Sequence, residues 1–154
     1  MLSQKAKYAL RALLVLAQHD TDQPIFVADI ADRENLPRKF LELILLDLKR
    51  AGFVDSRRGK NGGYLLAKRP GDITLGDVLR VVDGPLALVP CASDSAYRRC
   101  PDCHEETTCA IRRVMRQVRD ATSGILDKTT LADLLPGGDD NSRLENVIGV
   151  GFAA

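Results

Sequence analysis

The sequence predicts a mainly α-helical fold that carries one small β-hairpin and one long helix towards its C-terminal end. Apolar residues recur at helical spacing over residues 3–18 and 37–51. A glycine-rich, basic turn separates two short β-prone runs between residues 53 and 68. A further helical apolar stripe follows over residues 107–128. With 154 residues, 45% of them apolar, the chain is long enough for one core with an extension.

The first predicted helix covers residues 3–18. Its buried stripe follows the i, i+3, i+4, i+7 spacing and comprises Ala6, Ala9, Leu10, Leu13, Leu14 and Ala17. Two basic side chains, Lys5 and Lys7, lie near the start of this helix, outside the stripe. They are interpreted either as part of a solvated face or as contacts to nucleic-acid phosphate.

A short helix over residues 27–33, a turn over 34–36 and a helix over 37–51 follow. Pro37 suits the first helical position because no amide hydrogen is needed there. Gly52 is expected to end the helix in a left-handed conformation. The helix is expected to bury one stripe, formed by Phe40, Leu41, Ile44, Leu45 and Leu48.

The start of this third helix carries charged side chains away from the buried stripe, at Arg38, Lys39 and Glu42. A helix that reads a DNA groove presents base-contacting side chains at this end. Arginine and lysine can donate to guanine, and glutamate can accept from cytosine. The alternative is an ordinary charged surface.

Two strands are predicted over residues 53–57 and 64–68, joined by a turn with three glycines that permit tight backbone geometry. The cations Arg57, Arg58 and Lys60 occupy three of four positions there, and they would repel one another without an anionic partner. An arginine on such a hairpin can enter a narrow minor groove; a solvated loop is the alternative. A groove-reading helix followed by a basic hairpin is typical of a winged helix-turn-helix.

The sequence pattern predicts two more helices in the second half of the chain. Thr74 is expected to cap a helix over residues 75–82. The helix over 107–128 would be about 33 Å long, with an apolar stripe of Ile111, Val114, Met115, Val118, Thr122, Ile125 and Leu126. Such a stripe at the end of a chain predicts dimerisation through this helix, against packing on its own domain. Its arginines are expected to form a solvated face, namely Arg112, Arg113, Arg116 and Arg119.

Charge is distributed unequally between the two halves. Residues 1–70 hold 13 Lys/Arg and 8 Asp/Glu, a net of +5, whereas residues 71–154 hold 9 and 13, a net of −4. This indicates a nucleic-acid-facing half and a half with another role. The sequence predicts four successive parts: a winged helix-turn-helix DNA-binding domain (1–70), a connecting helix with a cysteine-rich loop (71–106), a dimerisation helix with a short cap helix (107–135), and a tail (136–154). The tail is expected to be weakly ordered or to dock as an extended segment.

All four cysteines lie within 19 residues, at Cys91, Cys100, Cys103 and Cys109. Thiolates are soft ligands suited to iron–sulphur clusters and zinc, and the two-residue gap of Cys100 and Cys103 lets both sulphurs meet one metal. Spacing alone leaves four alternatives open: an iron–sulphur cluster, a thiol–disulfide switch, a zinc site or inert thiols.

The surroundings of the cysteines carry positive charge. Arg98, Arg99 and the helix start near Cys109 are expected to favour the thiolate form. His104 is either a further ligand or a surface residue beside the site.

Several other classes of protein are disfavoured by the sequence. No apolar stretch reaches 18 residues, so no membrane span is predicted. No signal peptide is recognised, which predicts a cytoplasmic protein in which cysteines serve metal or redox chemistry more often than structural disulfides. No nucleotide-binding loop or nucleophile–base pattern indicates an enzyme.

The chain resembles the IscR/NsrR/CymR-type winged-helix transcription regulators of bacteria. The resemblance covers roughly residues 1–135, and its combination of motifs is specific. The matching stretches are YALRALL (8–14), FLE (40–42), LKRAGFV (48–54), RG with GGYLL (58–59 and 62–66), ITLGDV (73–78) and VDG (82–84).

This resemblance implies a homodimer that binds a two-fold DNA operator, with the helix in the major groove and the wing in the minor groove. By position, Arg58 matches the wing arginine, and the reading helix is matched by Arg38, Lys39, Phe40 and Glu42. The predicted function is that of a transcription repressor, or of a regulator that both represses and activates, whose operator affinity depends on the cysteine site. The alternative from another class is a winged-helix protein-interaction module.

Many members of the family carry an iron–sulphur cluster on three cysteines before the dimer helix and sense cluster status, iron, nitric oxide or redox state. Cys103 and Cys109, with five residues between them, match the last two, and Cys91 matches the first by its place after VDG. The implied cofactor is a 2Fe–2S or 4Fe–4S cluster, with zinc or no cofactor as alternatives.

The sequence departs from the family pattern at four places. The gap between Cys91 and Cys103 is longer than usual, and Cys100 is additional, either as a replacement for Cys91 or as a fourth ligand. Lys7 stands where some relatives have an acidic ligand. Lys60-Asn61 replaces the commoner proline-glycine wing turn.

Overall fold

The structure is a computed structural model that describes residues 2–19 and 22–137. Its elements are the helices α1 (Gln4–Gln18), α2 (Val27–Glu34), α3 (Arg38–Arg50), α4 (Leu75–Val82) and α5 (Ala110–Leu126), the strands β1 (Val54–Arg57) and β2 (Gly63–Leu66), and 3₁₀ turns at Pro70–Asp72, Pro90–Ala92 and Ala132–Leu134. The prediction of a mainly α fold with a small β-hairpin is confirmed. Residues 138–154 of the predicted tail lie outside the described residues.

Helix α1 is the centre of the core. Ser3 caps it, because its hydroxyl accepts a hydrogen bond from the Ala6 amide at 2.9 Å. Its fully buried alanines let α3 and α4 approach its backbone closely. Three residues expected to be buried are half-buried, namely Leu10, Leu14 and Ala17, whereas Val15 and Leu16 are buried. The buried surface is wider than one stripe because α2, α3, α4 and β2 all contact this helix.

The helix-turn-helix connection uses one left-handed residue, Asn35, with φ +50°. Leu36 is buried behind it, and its amide donates to the Ala31 carbonyl at 2.8 Å. Pro37 precedes the first helical residue of α3 instead of occupying it, and its carbonyl accepts the first helical hydrogen bond from Leu41. Gly52 has φ +76°, which confirms the predicted left-handed stop.

The hairpin pairs β1 and β2 in antiparallel register, with Val54 opposite Leu66 and Arg57 opposite Gly63. Strand β1 begins one residue later than predicted because the Phe53 amide is bonded to the Leu48 carbonyl at the end of α3. Strand β2 begins one residue earlier and ends two residues earlier than predicted. A bridge between Ile25 and Tyr64, with two hydrogen bonds of 2.8 Å, fastens the hairpin to the segment before α2.

Helices α4 and α5 extend from this unit. Thr74 caps α4, as predicted, by accepting from the Asp77 amide at 3.1 Å. Helix α5 begins at Ala110, three residues later than predicted, because Cys109 is its N-cap and its sulphur accepts from the Arg112 amide. Its 17 residues span about 26 Å. Arg80 and Asp127 form a bidentate pair, at 2.6 and 2.8 Å, that joins α4 to the end of α5.

No helix among the residues that the structure describes is long and apolar enough to cross a bilayer.

Replacing Gly63 by alanine should destabilise the hairpin strongly. Gly63 has φ +133°, and an added Cβ would lie 2.3 Å from the Ile25 carbonyl oxygen, which belongs to the bridge with Tyr64. We expect Gly63→Ala to lower the free energy of unfolding by about 2–4 kcal/mol, measured by urea denaturation.

The control is Gly59→Ala, at φ +104° with nothing within 4 Å of its Cβ. Only backbone strain applies there, so we expect a loss of about 1 kcal/mol. Equal losses in the two variants would contradict the close approach at Gly63.

Candidate nucleic-acid interface and cysteine site

The exposed start of α3 carries the charged residues predicted to face DNA. Arg38, Lys39 and Glu42 are all exposed. Arg38 and Glu42 form an ion pair at 3.2 Å, one helical turn apart. An exposed pair of this kind contributes little to stability, so its partners can exchange readily. Lys39 forms no ion pair within residues 2–19 and 22–137.

Phe40 was predicted to be part of the buried stripe of α3, but it is not buried. Its side chain is 36% exposed, and its ring meets the edge of Tyr8 with centroids 5.9 Å apart. The prediction was wrong here because Phe40 lies at the border of the stripe, where Tyr8 of α1 covers only part of it. The exposed ring is therefore available beside the charged start of α3.

Two exposed leucines on α3 were missed by the sequence reasoning. Leu43 is 60% exposed and Leu46 is also exposed. Both fall outside the stripe formed by positions 41, 44, 45 and 48, so helical periodicity alone marks them as apolar residues on the polar side. Leu43 follows Glu42 and lies one turn after Lys39, on the same exposed side.

The wing carries cations with few internal partners. Arg57 donates to the backbone carbonyl of Asp22 at 3.1 Å. Arg58 and Lys60 are exposed, and neither forms an ion pair in the part of the chain that the structure describes. The turn between the strands is closed by a hydrogen bond from the Gly62 amide to the Gly59 carbonyl. Two positive charges thus stand at the end of the hairpin.

The two lysines of α1 differ in their surroundings. Lys5 contacts Asp47 of α3 at 2.8 Å, and this hydrogen bond lowers the pKa of Asp47. Lys5 is therefore engaged in joining α1 to α3. Lys7 is exposed, and the described ranges contain no ion pair for it.

The cysteines include one close pair, formed by Cys91 and Cys100. Cys91 is buried in the 3₁₀ turn Pro90–Ala92, and its sulphur lies 3.6 Å from the sulphur of Cys100. Cys103 and Cys109 are half-buried, and all four thiols are free. No three histidine, cysteine, aspartate or glutamate side chains within residues 2–19 and 22–137 are grouped closely enough to hold a metal.

At two of the thiols, those of Cys100 and Cys103, the nearby positive charge is outweighed by other effects. The pKa of Cys100 is raised, first because its thiol donates a hydrogen bond to Cys91 and then because of burial. The pKa of Cys103 is raised by burial and by Cys109, which outweigh the opposing effect of Arg99. The predicted preference for thiolate is wrong for these two residues. Arg99 instead donates to the carbonyls of Cys103 and His104.

One arginine of α5 contradicts the predicted solvated face. Arg119 is only 8% exposed and donates to the Ala92 carbonyl at 2.7 Å. Arg112, half-buried, donates to the Cys91 carbonyl at 3.0 Å. Their spacing of seven residues, two helical turns, was a sequence signal that both lie on one side of α5. Arg113 and Arg116 are exposed, as predicted.

The apolar side of α5 is partly exposed, in contrast to the buried side chain of Arg119. Ile111, Val114 and Val118 are exposed, with Ile111 at 69%. Within the described chain, Arg119 is the single buried residue of this helix. Three of the seven residues in the predicted apolar stripe are therefore exposed, and the other four are half-buried.

The sequence model of the Rrf2 family, described as an iron-dependent transcriptional regulator, matches residues 2–137. An rrf2-like HTH-type transcriptional regulator from Rhodobacter capsulatus is 46% identical over 147 residues, covering 94% of this chain and 98% of the relative. Among solved structures, CymR, the global cysteine regulator of B. subtilis, is 36% identical with a TM-score of 0.72, covering 87% of this chain and 95% of that one. IscR from T. potens is 30% identical with a TM-score of 0.70, covering 92% and 90%.

These similarities extend over the helix-turn-helix, the hairpin and α5 alike. They confirm the resemblance inferred from the motifs, and the relatives are transcriptional regulators and not enzymes. The chain belongs to the Rrf2 family of transcriptional regulators.

Proposed function

We propose that this protein is a homodimeric, DNA-binding repressor whose operator affinity depends on an iron–sulphur cluster held by its cysteines. One observation carries the proposal. The cysteine segment leads directly into α5, the helix with an exposed apolar side, while a charged helix start and an exposed cationic hairpin lie in the other half of the chain. Sensing, pairing and DNA contact are thereby assigned to adjoining parts of one small protein.

The DNA contacts are assigned by exposure and charge. Lys39, Arg38 and Glu42 suit base edges in the major groove, and Leu43 suits a thymine methyl group. Arg58 suits a narrow minor groove, where the negative potential is enhanced. Lys60, Arg57 and Lys7 suit backbone phosphate, with Lys5 contributing only if its pair with Asp47 opens. Phe40 packs against Tyr8 and leaves part of its ring exposed beside the charged start of α3.

The homodimer is supported by the uncovered apolar surface of α5. An apolar groove of about 480 Å³ continues this surface, lined by Leu10, Leu79, Leu88, Val118 and Leu126 among others. A contiguous exposed apolar surface on a protein often marks an interface with another molecule. A second copy, related by a two-fold axis, presents the same surface and would pair two readers for a two-fold operator.

The donor chemistry of the cysteine segment fits an iron–sulphur cluster. Cys91, Cys100, Cys103 and Cys109 would hold it, because thiolates are the common ligands of such clusters. When bound, the cluster supplies redox and oxygen- or nitric-oxide-sensitive chemistry. His104 is exposed beside the site.

The proposed mechanism follows from how the free thiols are arranged. Cys91 and Cys100 are in contact, and the other two cysteines do not join them in a group of three. Loading must therefore reorder residues 91–109, and Cys109 caps the helix that pairs the two chains. A shift there would change the spacing of the two reading helices, which the DNA repeat fixes. A strong response requires the two states to differ by several kcal/mol in operator affinity.

The contact between Cys91 and Cys100 favours a second candidate, a thiol–disulfide switch. A disulfide would join these two residues and not Cys100 and Cys103, because the sulphurs of Cys91 and Cys100 are already 3.6 Å apart. A zinc site on the same thiols is the third candidate.

Removing the wing arginine should weaken operator binding. With an operator selected from random duplexes by the wild-type protein, we expect Arg58→Ala to lower affinity by about tenfold to hundredfold. The slope of log affinity against log salt should fall by about 1. The measurement is fluorescence anisotropy over a salt series.

Arg113→Ala is the matched control, since it removes an exposed arginine from α5. It should leave both affinity and slope unchanged. An Arg58→Ala protein that binds with wild-type affinity and slope would favour a protein-interaction module over a DNA reader.

The cluster should be detectable in protein purified without oxygen. We expect brown protein with visible charge-transfer absorption and matching iron and sulphide contents. The Cys91→Ser and Cys103→Ser variants should lose the visible absorption, the iron and the sulphide. Asp102→Asn, which changes an exposed residue between two cysteines, should keep them.

Colourless wild-type protein that contains zinc, lost in the same cysteine variants, would contradict the cluster and support the zinc site. Colourless protein without metal that forms a Cys91–Cys100 disulfide would support the switch.

A further inference from the structure

A buried positive charge lies between the cysteine segment and α5. The guanidinium of Arg119 donates to the Ala92 carbonyl at 2.7 Å, contacts Asp94, and donates to Asp120 through Nε at 2.9 Å. A charge removed from water is stable only when its hydrogen bonds are satisfied, so this cation depends on these partners. Ala92 directly follows Cys91, and both residues lie in the same 3₁₀ turn.

A second arginine of α5 holds the same turn. The Nε of Arg112 donates to the Cys91 carbonyl at 3.0 Å. Arg112 and Arg119 are two helical turns apart, about 10 Å along the helix axis. They therefore contact successive carbonyls of the turn from two points on one side of α5, the side that does not carry the exposed apolar residues.

The far end of α5 is fastened differently. Asp127, just after the helix, forms the bidentate pair with Arg80 of α4. The fit is tight, because a Cβ at Gly76 would lie 1.9 Å from an Asp127 carboxylate oxygen. One end of α5 is thus fixed to the DNA-binding half through α4, and the other end is fixed to the cysteine turn.

We propose that Arg112 and Arg119 are positioning residues that transmit the state of the cysteine site to the dimer helix. They hold the carbonyls of Cys91 and Ala92 against α5. Any movement of Cys91 when it binds the cluster therefore moves the first half of α5 relative to the far end, which the Arg80–Asp127 pair fixes. This inference rests on the proposed function, since it names the route by which the cysteine site alters operator affinity.

Thermodynamic linkage gives a readout that does not require the cluster. If the turn and α5 move together, loosening the two arginines must expose the buried Cys91 thiol. The rate of alkylation of Cys91 by iodoacetamide, followed on its own peptide by mass spectrometry, reports that exposure in the metal-free protein.

The test compares Arg112→Gln and Arg119→Lys with Arg113→Gln and Arg116→Gln, which change exposed arginines of the same helix. In the first pair we expect Cys91 alkylation to accelerate about tenfold, as when a charge-assisted hydrogen bond that opposes opening is lost. The controls should react as the wild type does. Arg112→Gln keeps the test valid if Arg119→Lys does not fold, because Arg112 is only half-buried.

The second measurement is the ratio of operator affinities between cluster-loaded and cluster-free protein. Arg112→Gln and Arg119→Lys should load a cluster with the wild-type spectrum but bring this ratio close to one. A large wild-type ratio that persists in both variants, or Cys91 alkylation unchanged in both, would overturn this inference and leave the proposed function standing. A wild-type ratio of one would instead overturn the proposed function.

Discussion

The arrangement of the cysteine-containing half of the chain depends on the hydrogen bonds of the buried Arg119 guanidinium. A cation that is 8% exposed must be matched by acceptors, and the nearest ones are the carbonyl of Ala92 and the carboxylates of Asp94 and Asp120. The cysteine turn is therefore bound to one side of α5. The other side of the same helix keeps its apolar residues exposed, so one helix contacts the candidate sensor and presents the candidate dimer surface.

The helix-turn-helix and hairpin could be predicted from local sequence because their determinants are local. Periodic apolar residues fix which side of α1 and α3 is buried, Gly52 supplies the left-handed stop, and Thr74 supplies the cap of α4. Phe40 could not be placed, because its exposure depends on Tyr8 of another helix. Sequence periodicity gives the direction of a side chain and not the extent of the neighbour that covers it.

The cysteine segment was harder to predict because its contacts lie far apart in the chain. Spacing favoured a pair formed by Cys100 and Cys103, whereas the fold brings Cys100 to the buried Cys91. The nearby arginines were expected to favour thiolate, yet Arg99 is engaged with carbonyls and the pKa of Cys103 is raised by burial. Arg119 was assigned to solvent because charged residues usually are, and only the tertiary structure shows the acceptors that bury it. Residue types thus led to a hypothesis about the chemistry of the site, whereas the positions of its side chains could be described only from the fold.

In the proposed mechanism, α5 sets the separation of the two DNA-reading helices in the dimer. The most direct test is the distance between spin labels attached through an unnatural amino acid at the exposed position 50, at the end of α3, in the dimer. Pulsed electron paramagnetic resonance should give one distance between the labels in cluster-free protein. In cluster-loaded protein this distance should differ by roughly 2 Å or more. Identical distance distributions in two states that differ in operator affinity, or no label pair at all, would contradict the account.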